Sequence, residues 1–498
     1  MTTLLSKIFL LDTITFAKEI YSMNKSIYIG KTKAYRAENI VTFNQVSLDE
    51  ELFYKIENID AMPPFFMSIV SNSNHWMFIS SNGGLTAGRK NSDNSLFPYY
   101  TDDKITESIE HTGSKTILLI EKEEKIYLWE PFSNNQVRIY NIKRNLYKNA
   151  YGNKILFEEI NQDLGITFSY EWNSSNQYGF VRKANLKNNS SNPVKVELID
   201  GLQNILPYGV GEDLQKQSSN LVDAYKKAEL NPDTGMGIYS LSAIIVDRAE
   251  PSEALKANIV WSTGLKNAKR LLSSTQLEQF RQGHEVIEEI DIRAKRGAYL
   301  LATQIELTAG GEENWSIIAD VNKSISALVA LEEKIQDPAI EYLIKQDIEA
   351  GTGELLQLVG AADGLQLSND KRGNDRHFAN TMFNIMRGGI FDDNYTIEKQ
   401  DFLTYVKKAN KAVYQAKTDQ INALEESFTV ECLIDLGNSD NDTDFSRLCY
   451  EYLPLKFSRR HGDPSRPWNK FSINTKNEIT GEKILDYQGN WRDIFQNW

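Results

Sequence analysis

Ile166-Thr-Phe-Ser-Tyr-Glu-Trp172 sets a large apolar or aromatic side chain at every second position, with a polar one between. Side chains of an extended chain alternate between two faces, so this is a strand with one face against a core. Similar runs rich in Ile, Val, Phe, Tyr and Thr lie on both sides of it: Ser26–Gly30, Trp76–Ser80, Thr116–Glu121, Ile126–Trp129, Val137–Ile142, Ile155–Ile160, Gly179–Asn185 and Val194–Ile199. Asn, Ser, Gly and Asp break them up, and Asn188-Asn-Ser-Ser-Asn-Pro193 reads as a turn cluster. Ser240–Arg248, Ala257–Ser262 and Ala298–Leu307 continue the series. Glu212–Asp233 holds a short helical-looking stretch, and Gln276–Ile290 reads as a helix or a charged loop. A β pattern running from about residue 25 to 310 is too long for an immunoglobulin-like domain and fits a large antiparallel two-sheet super-sandwich.

The character changes near Gly310-Gly311. From Trp315 onward Ile318, Val321, Ile325, Leu328, Leu331 and Ile335 step by three or four, which predicts a helix ended by Asp337-Pro338. Further helical patterns cover Ile340–Ala350, Glu354–Ala362, His377–Met386 and Glu398–Glu426, and no repeat of fixed period is visible. Strands followed by helices imply separate domains rather than an alternating α/β fold. The partition is a 1–24 N-terminal segment, a 25–310 sandwich, a 311–370 helical linker and a 371–498 helical domain.

A chain of 498 residues with a net charge of −13 gains no overall attraction to nucleic acid or to an anionic membrane. The apolar run Ile8–Leu11 stops at Asp12, too short for a signal peptide, and no stretch is long enough to span a bilayer. The reading is a soluble, cytoplasmic protein. Cys432 and Cys449 cannot build a disulfide framework, and each reads as a small buried apolar residue. His75, His111, His284, His377 and His461 show no metal-ligand spacing, so neither a metal nor a cofactor is expected. His377 falls at a helix start and reads as structural. Ser80–Gly88 is a glycine-containing hairpin loop, not a phosphate loop, and Gly-x-Ser-x-Gly is absent.

Two segments could carry chemistry. Lys456-Phe-Ser-Arg-Arg-His-Gly-Asp-Pro-Ser-Arg-Pro-Trp-Asn-Lys-Phe471 sets five cations against the single acid Asp463, on a Gly/Pro-rich loop. Guanidinium groups on a rigid loop suit phosphate or carboxylate, and an indole offers a flat face to a sugar ring. The candidates there are Arg460, His461, Arg466 and Trp468. A surface turn whose arginines pair with acidic neighbours is the open alternative. In Tyr487-Gln-Gly-Asn-Trp-Arg-Asp-Ile-Phe-Gln-Asn-Trp498, the polar Arg492, Asp493 and Gln496 stand among Trp491, Phe495 and Trp498. Donors and acceptors among aromatics suit a saccharide. An amphipathic helix start is the alternative.

Val196-Glu-Leu-Ile-Asp-Gly-Leu-Gln-Asn-Ile-Leu-Pro-Tyr-Gly209, Arg460-His-Gly-Asp-Pro-Ser-Arg-Pro-Trp-Asn469 and Gly489-Asn-Trp-Arg-Asp-Ile-Phe-Gln496 together resemble the cellobiose phosphorylase-like enzymes of glycoside hydrolase family 94 and its neighbours. The last resembles the family's Arg-Asp-x-x-Gln-Asp motif, with Asn497 where the pattern has Asp. The resemblance implies a galactose mutarotase-like super-sandwich, a helical linker and the start of an (α/α)6 barrel. It implies inverting phosphorolysis of a β-linked oligosaccharide, phosphate attacking the anomeric carbon while a carboxylic acid protonates the leaving oxygen. It gives Arg492, Asp493 and Gln496 the sugar on the non-reducing side of the cleaved bond. The partners implied are an oligosaccharide, inorganic phosphate and a second copy of the chain in a homodimer. The family's general acid lies beyond the last motif, so the chain is expected to be a fragment or truncated product, inactive alone and with no catalytic residue assigned. Three alternatives stay open: an inverting glycoside hydrolase, a non-catalytic carbohydrate-binding or accessory protein, and a scaffold whose unfinished barrel pairs with another polypeptide.

Overall fold

The computed structural model describes residues 26–35, 40–243, 245, 255–460, 462–477 and 480–485. The alternation at its centre does what its pattern predicts. Ile166, Phe168, Tyr170 and Trp172 on strand Ile166–Ser175 are buried, while Thr167, Ser169 and Glu171 are half-exposed. The strand pairs antiparallel with Ile155–Asn161 and Gly179–Asn188, setting Phe157 opposite Tyr170 with ring centroids 5.0 Å apart. Each such buried side chain stabilises the sheet by about 1.5–3 kcal/mol.

Among the described residues this ladder extends to eleven antiparallel strands, from Asp291–Arg293 at one edge to Thr42–Leu48 at the other. A five-stranded sheet faces it, in the order Lys269–Leu271, Gly297–Leu307, Val194–Ile205, Gly113–Lys122 and Lys125–Trp129. One core cluster takes side chains from both, Phe168 and Trp315 from the large sheet and Leu118, Leu198 and Leu301 from the small one. The far side of the small sheet is covered by the helix Leu277–Arg281, whose Leu277 and Phe280 pack on Ile117 and Ile199. A hairpin of strands His75–Ser80 and Leu85–Arg89, joined by Phe66–Ile69, forms a separate three-stranded sheet.

Several expectations need correction. Glu312–Ser324 is a strand, not the start of a helix at Trp315, so the sandwich runs past residue 310. Trp315, Ile317, Ala319 and Val321 face the inner core, while Ile318 faces a second cluster with Leu328, Ile344 and Ile348. A strand buried on both faces is a continuous apolar run, from which a helical spacing can be picked out equally well. The helix begins at Ile325, where the Ser324 hydroxyl caps Ala327 N at 3.3 Å, and it stops at Ile335 before Asp337-Pro338. Val137–Ile142 is not a strand: residues 137–140 are turns and the ladder starts at Ile142. The later strand is Gly237–Leu241; 244 and 246–248 lie outside the described residues. Of Gln276–Ile290 only Leu277–Arg281 is helical. Cys432 is exposed; Cys449 is buried.

Two of the expected helices are one, Ile340–Ala361, lying across the outside of strand Ile166–Ser175. Lys371–Gly388 follows, capped by Asp370, with His377 in its second turn bonded to Asp363 O at 2.8 Å. The chain then leaves through Ile390–Phe391 and returns through Leu455–Lys456, two short strands that pair with each other. Between them sits a module built twice over. Strand Thr396–Glu398 leads to helices Lys399–Ala409 and Lys411–Asn422, and strand Ser427–Thr429 leads to Val430–Ser439 and Thr443–Glu451. The two strands pair, and Asn410 and Asp442 cap the second helix of each half. Equivalent places hold Ile397 and Phe428, Phe402 and Leu433, Val413 and Phe445, all in one core. The single helix expected over Glu398–Glu426 is thus broken at Asn410, and an internal repeat is present. Among the described residues no helix is long and apolar enough to cross a membrane.

Candidate functional site

The motif Val196–Gly209 lies inside the sandwich. Asp200 receives Arg182 Nη1 at 2.7 Å and Nη2 at 2.9 Å, Trp315 Nε1 at 2.7 Å and the Thr116 hydroxyl at 2.7 Å. At Gly201 a Cβ would meet Tyr299 O at 2.0 Å, so only glycine lets the two strands approach. Gln203 Nε2 donates to Glu110 O at 2.8 Å, and Asn204, with φ of 57°, donates to the Thr112 hydroxyl at 2.9 Å. Asp200, Gln203 and the Asn204 amide nitrogen thus tie the strand into the sandwich, while the buried Asn204 Oδ1 has no partner among the described residues.

The basic loop follows directly on strand Leu455–Lys456 and lies across the hairpin His75–Arg89. Arg460 and Ser472 exchange backbone bonds at 3.0 and 3.2 Å, and Ile473 N bonds Lys90 O at 2.7 Å. Phe471 then inserts among Trp76, Phe78 and Tyr99, with centroids 5.3 to 5.8 Å away. The turn is local. Asp463 Oδ1 accepts from Ser465 N at 2.9 Å and from the Ser465 hydroxyl, and Asp463 O accepts from Arg466 N at 2.9 Å. A Cβ on Gly462 would sit 2.2 Å from Asn469 O.

The loop's cations divide. Lys456 pairs with Asp392 at 2.9 Å, and Lys470 stands 3.7 Å from Glu212 and 3.6 Å from Asp213. Lys483 joins Lys456 on Asp392; burial raises that carboxyl, but the two ammonium groups hold it below the usual range. Arg459 is the buried arginine. It donates to Ser71 O at 2.8 Å and Ser73 O at 3.0 Å, its guanidinium lies 4.5 Å from the Phe457 ring centre, and burial pushes its pKa down. Beneath it His75 is buried and bonds Ser73 Oγ at 3.0 Å; burial and the Arg89 charge drive it well below its usual 6.5. Arg89 in turn pairs with the buried Asp320 at 2.6 Å.

Of the expected site residues, Arg460 and Trp468 are exposed, Trp468 by 76%, and Arg466 is half-buried. Among the described residues neither Arg460 nor Arg466 forms an ion pair. His461, Trp491, Arg492, Asp493 and Gln496 lie outside the described residues. The sequence reading missed Arg459: in a pair of adjacent arginines, only the alternation of an extended segment decides which one turns inward. Among the described residues no group of three His, Cys, Asp or Glu side chains could hold a metal ion.

Residues 391–454 match the family model of the glycoside hydrolase family 149 insertion domain 1. The match covers the repeated module between the paired strands and ends where the basic loop begins. No curated protein matches the chain by sequence. Among solved structures the chain is similar to a bacterial glucoamylase complexed with acarbose, at 11% identity and a TM-score of 0.37, covering 80% of this chain and 54% of that one. It is similar to a human-microbiome protein assigned as a kojibiose phosphorylase, at 9% identity and a TM-score of 0.34, covering 68% and 44%. A Klebsiella pneumoniae protein assigned as an aldose 1-epimerase is matched at 9% identity and a TM-score of 0.25, covering 59% of this chain and 91% of that one. The chain thus spans about half the length of the glucoamylase and less than half of the phosphorylase-assigned protein.

Proposed function

We propose that this chain is the sugar-handling part of an inverting glycoside phosphorylase that cleaves a β-linked oligosaccharide. The observation that carries the reading is the glycoside hydrolase family 149 insertion domain at 391–454, held by a two-stranded stem that opens directly into the cationic Trp-bearing loop. In this reading Trp468 gives a ring face to the sugar, and Arg460 and Arg466 receive phosphate or hydroxyl oxygens. Arg492, Asp493 and Gln496 supply in-plane bonds to sugar hydroxyls. With phosphate as the attacking group one protein carboxylic acid suffices, because phosphate replaces the base-activated water of an inverting hydrolase. The acid is given to no residue of this chain. Water in place of phosphate would make the same site hydrolytic, and a scaffold of this shape could equally bind sugar without turnover.

Calorimetric titration with a panel of β-linked disaccharides, with and without inorganic phosphate, tests the reading. Binding is expected, tightened by phosphate, and weakened about tenfold or more in Trp468→Ala and in Arg492→Ala. Binding that survives both substitutions unchanged overturns the assignment.

A further inference from the structure

The sandwich holds a cavity of about 140 Å³ that the basic loop does not touch. It opens between the turn Ile59–Ala61, the tip of the hairpin His75–Arg89 and the loop that follows strand Lys125–Trp129. Met62, Phe132 and Phe157 contribute apolar lining, and Asp60, Asn134 and Arg144 contribute polar lining.

The loop that shapes it is held hard. Phe132 has φ of 63°, a left-handed conformation that costs a bulky residue about 1–3 kcal/mol. Phe132 N donates to Glu159 Oε2 at 2.7 Å, Asn134 N to Glu110 Oε1 at 2.7 Å, and Arg144 Nη2 to Ser133 O at 2.8 Å. The ring meets Phe157 and Tyr170 edge-on, at 6.2 and 5.2 Å. Strain of this kind persists where the surroundings over-determine it, and here it keeps an aromatic ring as a cavity wall.

The electrostatics select the ligand. Arg144 Nε pairs with the buried Glu159 at 2.7 Å, so its charge is spent. Asp60 on the wall disfavours anions. Among the described residues Arg144 Nη1 has only Asn134 Oδ1 at 3.5 Å, the limit of a hydrogen bond, which leaves donor capacity at the wall. An enclosed cavity of roughly 150 Å³ holds a benzene-sized ring, and this one opens to solvent, which leaves room for ring substituents. An aromatic wall flanked by amide, carboxylate and guanidinium groups suits a neutral ring edged with hydroxyls.

We propose that this cavity binds a single pyranose ring, independently of the loop assigned above. The experiment is calorimetric titration of the full chain with D-glucose, D-galactose, D-mannose and N-acetyl-D-glucosamine, with glycerol as the additive control. Saturable binding of at least one of these sugars and none of glycerol is expected. Met62→Trp, which fills the cavity, should weaken it about tenfold or more, and Asn134→Ala about threefold. The double variant Arg460→Ala/Trp468→Ala, which removes the loop's own contacts, should still show saturable binding, and Met62→Trp added to it should abolish that binding. Failure of all four sugars to bind overturns the proposal, as does loss of binding in the loop variant. So does unchanged affinity in a Met62→Trp protein that melts like wild type. If Met62→Trp does not fold, unchanged affinity in Asn134→Ala overturns it instead. A failed disaccharide titration at the loop leaves this outcome untouched, so the two proposals fail separately.

Discussion

Replacing Asp200 by Asn would test whether the sandwich core is organised around one buried ion pair. Asp200 and Arg182 are both fully buried, with two N–O contacts of 2.7 and 2.9 Å, and the carboxylate also receives Trp315 Nε1 and the Thr116 hydroxyl. Arg182 also donates to Ser114 Oγ at 3.0 Å and lies 4.7 Å from the Tyr170 ring centre and 5.9 Å from that of Phe168. Asn keeps the volume but turns an NH2 group towards donors and leaves the guanidinium without a counter-charge. Removing one partner of such a pair costs about 3–5 kcal/mol, and each donor stranded beside it adds to that. The loss is therefore about 4 kcal/mol or more, a large part of what holds an ordinary domain folded. Replacing both, as Arg182→Met/Asp200→Leu, removes the stranded charge and should cost less than Asp200→Asn alone. Urea unfolding followed by tryptophan fluorescence, with Trp172 and Trp315 inside this core, measures all three proteins. An Asp200→Asn protein within about 1 kcal/mol of wild type, or a double variant worse than the single, would refute the reasoning.

Two further outcomes follow from the charges and the stem. Burial raises the Asp320 carboxyl, but Arg89 at 2.6 Å and Lys323 at 2.5 Å hold it well below its ordinary 3.8. Its contribution is therefore present above that value and lost as pH falls through the lower folded one; Asp320→Asn should flatten the fall in unfolding free energy below about pH 4, and an unchanged acid limb would count against it. Deleting 393–453 and bridging Asp392 to Pro454 with a short Gly-Ser turn should leave the sandwich transition within about 1 kcal/mol of wild type, because the module keeps its own core; circular dichroism melts showing loss of the sandwich would contradict this.

The sequence was most readable where alternation, a glycine turn or a proline leaves a local signal. Ile166–Trp172, the hairpin at Ser80–Gly88 and the helix stop at Asp337-Pro338 each carry a local signal that the structure obeys. Glu312–Ser324 was misread because both its faces are covered, which erases the period of two. The repeat in 391–454 escaped because its halves share positions rather than residues: Ile397 stands for Phe428, and Asn410 for Asp442. Val137–Ile142 reads as a strand but begins in turns, and the cavity loop before it carries no local signal, since nothing nearby in sequence tells that Glu110 and Glu159 will bind its backbone. Of the expected site, Arg460 and Trp468 are exposed and Arg466 is half-buried, and the remaining residues lie outside the described part.

Arg459 grips the backbone oxygens of Ser71 and Ser73, not their side chains. Such a grip registers the path of a peptide and is blind to which amino acids compose it. Drift at those two serines would leave this bond standing, whereas drift at Arg459 would remove one of the ties, beside Phe471 and the Ile473–Lys90 bond, that hold the cationic loop down.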